Sequence, residues 1–185
     1  MMEVESLAGR REEQLAVPAR YREASSPEAD RLLADLESGA ARGAWLQGPV
    51  GSGKTWAACA LALAAVRSGR LGRVAFANAV AMLAAERDAM AARGRGGMGA
   101  LGSAGLLVVD DLDKVRPTDW AVESLYLLLE SRSGDGLPTV ATANCDLSAL
   151  CARLGGDAMA QAICDRLRDG ARLVTFSGAT RRRWA

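Results

Sequence analysis

The sequence predicts an α/β fold in which a mostly parallel, five-stranded sheet is covered by helices on both faces, and three observations carry that prediction. Five short apolar runs recur along the chain without strict alternation, the pattern of strands buried on two sides. Stretches of helical periodicity or unbroken apolar character separate those runs. A glycine-rich turn also joins the first run to the helix after it. At 185 residues the chain has room for one domain.

In chain order, residues 1–16 are charged and aperiodic and read as a flexible arm or the stub of a helix, leaving 17–185 as the domain. Ser25-Ser26-Pro27-Glu28 opens a helix: Ser25 and Glu28 have capping-box spacing, and the proline stands in the first turn. Leu32, Leu33 and Leu36 give that helix one apolar face, and Gly39 ends it. Strands are predicted over 44–48, 73–77, 105–109, 138–143 and 172–176. Between them, 54–68 is alanine-rich and apolar nearly all round, which suits a helix pressed against a sheet. Residues 79–92 and 119–132 repeat every 3.6 residues, and a further helix covers 157–168. The glycine-rich stretch from Arg93 to Gly105 breaks the rhythm and is predicted to be a mobile loop or a disordered excursion.

Composition narrows the chemistry. The chain has no histidine, so Ser-His and Cys-His dyads, His-ligated zinc and imidazole bases are excluded, and acid/base work falls to carboxylates. Cys59, Cys145, Cys151 and Cys164 show no CxxC pairing and are expected to be packed free thiols. No apolar run reaches the ~18 residues needed to span a bilayer, and the N-terminus lacks the order of a signal peptide, so a cytoplasmic protein is expected. Charge is unevenly distributed: blocks 38–109 and 166–185 are basic, while 1–37 and 110–165 are acidic. The acidic block suits a metal ion or a basic partner, and the basic blocks suit phosphate-rich ligands.

Gly48-Pro49-Val50-Gly51-Ser52-Gly53-Lys54-Thr55 matches G-x-x-x-x-G-K-[ST] between a predicted strand and a predicted helix. Its glycines let backbone amides turn toward phosphate oxygens. Lys54 can reach the β and γ phosphates, and the Thr55 hydroxyl can coordinate Mg²⁺. Leu106-Leu-Val-Val-Asp110-Asp111 is an apolar strand ending in two carboxylates, placed to hold Mg²⁺ (Asp110) and to orient an attacking water (Asp111). Val140-Ala-Thr-Ala-Asn144 ends the following strand in an amide that can hold a water between itself and Asp111. ATP and Mg²⁺ are the expected ligands.

These residues resemble the AAA+ ATPases, in particular the DnaC-type helicase loaders and IstB-type transposition helpers. The resemblance runs from about Val17 to Arg183. It rests on Val17-Pro-Ala-Arg-Tyr21-Arg, the phosphate loop, Leu-Leu-Val-Val-Asp-Asp-Leu, Trp120 with Leu125-Tyr126 ahead of Glu130-Ser-Arg132, Leu137-Pro-Thr-Val-Ala-Thr-Ala-Asn, and Asp165-Arg166-Leu167. It implies a P-loop NTPase (AAA+) αβα sandwich and ATP held between self-associating subunits. Its partners would be a replicative DNA helicase, or a transposase, and single-stranded DNA, with no membrane. It also implies Arg166 as an arginine finger acting on a neighbour's ATP and Pro18 and Tyr21 as walls of the adenine pocket; Trp56, directly after Thr55, ends the candidate nucleotide-binding run. Arg181-Arg182-Arg183 falls where the family has a basic ending near nucleotide or DNA.

The chain departs from the family in three places. Few residues precede the ATPase core where full-length loaders carry a helicase-gripping domain. Gln161 stands near where a second arginine often precedes the finger. The glycine-rich stretch follows the region used for single-stranded DNA, for which Arg87, Arg93 and Arg95 are the candidates.

Overall fold

The computed structural model of the chain describes residues 15–92 and 96–178. A short 3₁₀ turn, Ala19–Tyr21, precedes α1 (Pro27–Glu37), β1 (Gly43–Gln47), α2 (Lys54–Ser68), β2 (Val74–Asn78) and α3 (Ala79–Ala91). Then come α4 (Met98–Gly102), β3 (Leu106–Asp110), a 3₁₀ turn Leu112–Lys114, α5 (Asp119–Gly134), β4 (Thr139–Ala143), α6 (Leu147–Arg153), α7 (Ala158–Arg168) and β5 (Ala171–Thr175). All five strands are parallel, in the order β2-β3-β4-β1-β5. The predicted strands lie within one residue of these bounds at every end.

β1 sits between β4 and β5, in register so that Gln47 faces both Ala143 and Thr175. The C-terminal ends of β1, β3 and β4 therefore stand side by side, and the loops leaving them converge at one rim of the sheet. Alternation along each buried strand divides the core into two layers. Ala44, Leu46, Leu106, Val108 and Val140 face α1 and α2. Trp45, Leu107, Val109, Ala141 and Ala143 face α3, α5, α6 and α7. Helix α2 is buried over ten of its fifteen residues, among them Ala57, Ala58, Ala62 and Ala65, whose small side chains let a helix lie close against a sheet.

Two details differ from the sequence expectation. The cap of α1 is Ser26, not Ser25: its hydroxyl accepts from Ala29 N at 3.4 Å and donates to Glu28 Oε2 at 2.6 Å. Two adjacent serines give the same local signal, and the fold takes the one next to Pro27. The stretch expected to be a loop also contains α4. Glu86 Oε2 accepts the Met98 N–H at 3.0 Å at its start, and the Arg132 guanidinium gathers the carbonyls at its end. The expected arm up to residue 14, Arg93, Arg95 and Arg181–Arg183 lie outside the described residues. All four cysteines are free; burial pushes the Cys59 and Cys164 thiols up to about 12. Among the described residues no helix is long and apolar enough to cross a membrane.

Candidate functional site

The phosphate loop leaves β1 at Gly48 (φ +146°) and turns through Gly51 (φ +81°) and Gly53 (φ +108°), conformations that side-chain-bearing residues rarely adopt. A Cβ at Gly48 would strike the Phe176 carbonyl, so this glycine also allows a close approach of two backbones. Gly53 caps α2 without a side-chain hydrogen bond, leaving the helix's first amides open to an anion. The Ser52 hydroxyl is buried inside the loop and has no hydrogen-bond partner among the described residues. A bound phosphate would satisfy both the amides and the hydroxyl.

Lys54 is 5% exposed, and its ammonium spends its three donors on Gly48 O (2.8 Å), Pro49 O (2.8 Å) and Asn144 Oδ1 (3.0 Å). Burial lowers its pKa, and the carboxylates of Asp111, Asp113 and Asp110 work against that fall. The Thr55 hydroxyl donates to Asp110 at 3.0 Å, which brings the two expected Mg²⁺ ligands together. Thr142 Oγ1 donates to Asp110 Oδ1 at 2.7 Å and accepts the Asp111 N–H at 2.9 Å, tying β4 to the end of β3. Burial raises the pKa of Asp110, and the hydrogen bonds from Thr142 and Thr55 oppose that rise. Threonine and carboxylate oxygens fit a hard divalent ion, and Thr55 and Asp110 would hold it together with oxygens from phosphate and water. Among the described residues no group of three or more acidic or cysteine side chains could hold a metal by itself.

Asp111 has φ +57° and ψ +46° and is the one non-glycine residue with positive φ among the described residues. Such backbone strain collects at functional sites. Asp111 lines a cavity of about 880 Å³ together with Gly51, Gly53, Lys54, Thr55, Asp110 and Asn144. Pro18, Tyr21, Val50 and Trp56 line it as well. The Tyr21 and Trp56 rings meet edge-on with centroids 6.3 Å apart, Arg20 lies 4.6 Å over Tyr21, and Trp56 Nε1 donates to Ser25 O at 2.7 Å.

The sequence model of the IstB-like ATP binding protein family matches residues 23–184. The chain belongs to this family. Among curated proteins none matches its sequence. This IstB-like protein is similar to solved structures of replication proteins, three of which follow. For DnaI the TM-score is 0.66 at 21% identity, over 94% of this chain and 100% of that one. For the DnaC helicase loader it is 0.67 at 19%, over 86% and 100%. For the replication initiator DnaA bound to AMPPCP and single-stranded DNA it is 0.69 at 17%, over 90% of this chain and 53% of DnaA. At these identities the likeness is one of fold, the AAA+ P-loop NTPase sandwich.

Arg166 stands apart from the rest of the site in the IstB-like chain. It is in the last turn of α7, lining a small cleft with Gly43, Thr139 and Ala171, at the end of the sheet opposite the phosphate loop. Its Nε donates to Glu130 Oε2 at 2.6 Å, whereas Asp165 pairs with Arg168 and Asp169 with Arg42. Water screens an exposed pair of this kind, so Arg166 can exchange Glu130 for another anion at little cost. Arg87 is 4.6 Å above the Trp120 ring, a packing contact between α3 and α5.

Two site residues escaped the sequence reading. Thr142 is fully buried in an apolar strand, which was a legible sign that its hydroxyl has partners. Asp113 sits in the turn after β3 and is buried against Asn144; nothing near it in sequence signals that contact.

Proposed function

We propose that this protein is a cytoplasmic ATPase of the helicase-loader kind, which binds and hydrolyses ATP to remodel a DNA–protein complex at the start of replication. The observation that carries the reading is the convergence of Lys54, Thr55, Asp110, Asp111 and Asn144 on one cavity, from the ends of three neighbouring strands. The loop from Gly48 to Gly53 cradles the phosphates, and Lys54 leaves its carbonyl partners to neutralise the β and γ oxygens. Thr55 and Asp110 would hold Mg²⁺, whose charge offsets that developing on the phosphates. Asp111 accepts a proton from the attacking water, and Asn144 orients that water. Pro18, Tyr21 and Trp56 hold the base.

Likeness to the DnaC helicase loader and to a DnaA bound to single-stranded DNA supports a replicative helicase and single-stranded DNA as partners. The family match favours a second reading, a transposition helper whose partner is a transposase. Self-association supports turnover in either case, because Arg166 lies too far round the sheet to serve its own phosphate loop and would act on a neighbour's ATP. Lys54→Ala tests the core of the reading: it should abolish ATP binding measured by calorimetry, while Asp111→Asn should bind ATP and fail to turn it over. Tight nucleotide binding by Lys54→Ala would sink the site assignment, and the partner that co-purifies from the source cell in the presence of ATP separates the two readings.

A further inference from the structure

The side-chain amide of Asn144 is gripped from both sides. Its Oδ1 accepts from Lys54 Nζ at 3.0 Å, and its Nδ2 donates to Asp113 Oδ1 and Oδ2 at 3.2 and 3.0 Å. Its backbone N–H donates to Asp113 Oδ1 as well, at 3.1 Å. The Asp113 side chain is wholly buried and is further held by Lys114 Nζ at 3.0 Å, with Arg153 Nη1 at 3.8 Å. An ammonium only donates and a carboxylate only accepts, so these partners leave the amide one orientation. Burial opposes ionisation of Asp113, but the hydrogen bonds from Asn144 and Lys114 outweigh it and hold the carboxyl below its ordinary range.

We propose that Asp113 is a positioning residue that locks Asn144 with its carbonyl oxygen, not its NH₂, toward the phosphate side of the cavity. The inference rests on the ATPase reading for its consequence in turnover, though not for the lock itself. Before nucleotide arrives, the carbonyl holds Lys54. When phosphate draws Lys54 away, the carbonyl becomes free to accept an O–H from the attacking water, and Asp111 accepts the other. A water held by both protons presents its lone pair to the γ-phosphorus. Its oxygen then forms the new bond to phosphorus, the bond from phosphorus to the bridging oxygen breaks with its electron pair leaving on ADP, and the water's proton passes to Asp111. An unlocked Asn144 could turn its NH₂ inward and offer a donor where an acceptor is needed.

The test has two arms. In the nucleotide-free protein, the Asn144 side-chain NH₂ signals, assigned by their loss in Asn144→Ala, should be well resolved and slow to exchange with solvent in ¹⁵N NMR. They should collapse into the exposed-amide envelope in Asp113→Ala and stay resolved in Asp113→Asn, which keeps an acceptor and guards against a variant that fails to fold. Unchanged signals in Asp113→Ala would overturn the lock. In single-turnover ATP hydrolysis, Asp113→Ala should slow the chemical step about 10- to 100-fold, the scale of one misplaced water-orienting group, with ADP affinity unchanged within about threefold. The double variant with Asn144→Ala should be no slower than Asn144→Ala alone. Losses that multiply, or an equal loss of ADP binding, would show that Asp113 acts elsewhere. If the NMR lock is present and the wild type does not turn over ATP, the lock stands and the ATPase reading falls.

Discussion

Replacing Arg132 with leucine should destabilise the domain by up to about 4 kcal/mol without touching the nucleotide site. The guanidinium is completely buried, and its five hydrogen bonds go to four carbonyls and one hydroxyl: Leu101 O (2.8 Å), Gly102 O (3.1 Å), Ala104 O (2.7 Å), Pro138 O (2.5 Å) and Thr139 Oγ1 (2.8 Å). These partners come from α4, from the approach to β3 and from the start of β4. The Ala104 carbonyl is buried, and leaving it unpaired costs about 1–3 kcal/mol; the four less enclosed acceptors can recruit water and cost about 0.5–1 kcal/mol each. Against this, the substitution removes a buried charge, whose desolvation pulls the arginine pKa down to about 10 and gives back about 3 kcal/mol. The remainder corresponds to a drop of up to roughly 15 °C in Tm for a domain of this size. Urea and thermal unfolding measure the loss, and hydrogen exchange should locate it at residues 98–104. Arg132→Lys sharpens the reasoning, because it keeps the charge but cannot span five acceptors, and so should fall at least as far. An Arg132→Lys variant of wild-type stability would mean that charge alone matters at this position, and an Arg132→Leu variant more stable than the wild type would mean that desolvation dominates; either refutes the account.

Arg166→Ala should still bind ATP but hydrolyse it poorly, and mixing it with Lys54→Ala, which offers an intact Arg166, should restore part of the activity; a mixture that stays dead beside an active wild type returns Arg166 to a structural pairing with Glu130. Asp113 has a pKa lowered by folding, so its contribution to stability is present above the ordinary carboxylate pKa of about 4 and is lost as pH falls through the lower folded value. Urea midpoints followed down through that range should therefore show an acid limb that is flatter in Asp113→Asn. Single-stranded DNA should bind with an affinity that falls steeply as salt rises, and no binding at low salt, with or without ATP, would remove nucleic acid from the partners.

What the sequence made legible was whatever is encoded locally. The phosphate loop is contiguous, and its glycines and lysine have to follow one another. Strands β3 and β4 are apolar runs that stop at polar residues, so Asp110, Asp111 and Asn144 could be placed at strand ends without coordinates. The roles of Asp113 and Arg132 could not be read, because each depends on partners about thirty residues away: Asp113 meets Asn144 only when β3 and β4 lie side by side, and Arg132 meets α4 only when α5 packs beneath it. The same reason hid α4. Its glycine-rich sequence has little helical preference, and its position is set by Glu86 and Arg132 from outside. A serine pair before a proline was ambiguous by one residue, and only the hydroxyl geometry at Ser26 decides it.

Strand β5 is the most exposed strand of the sheet, with Leu173 64% exposed, and by burial alone it is the one a protein engineer would trim. Yet the residue just beyond it, Phe176, donates its N–H to Gln47 O at 2.8 Å and sets its carbonyl against Gly48. The floor under the phosphate loop is thus laid by the far end of the chain. A version shortened before Phe176 would retain every residue of the nucleotide signature and lose the surface against which its first glycine is seated, so the signature's presence in a fragment is no guarantee of a working loop.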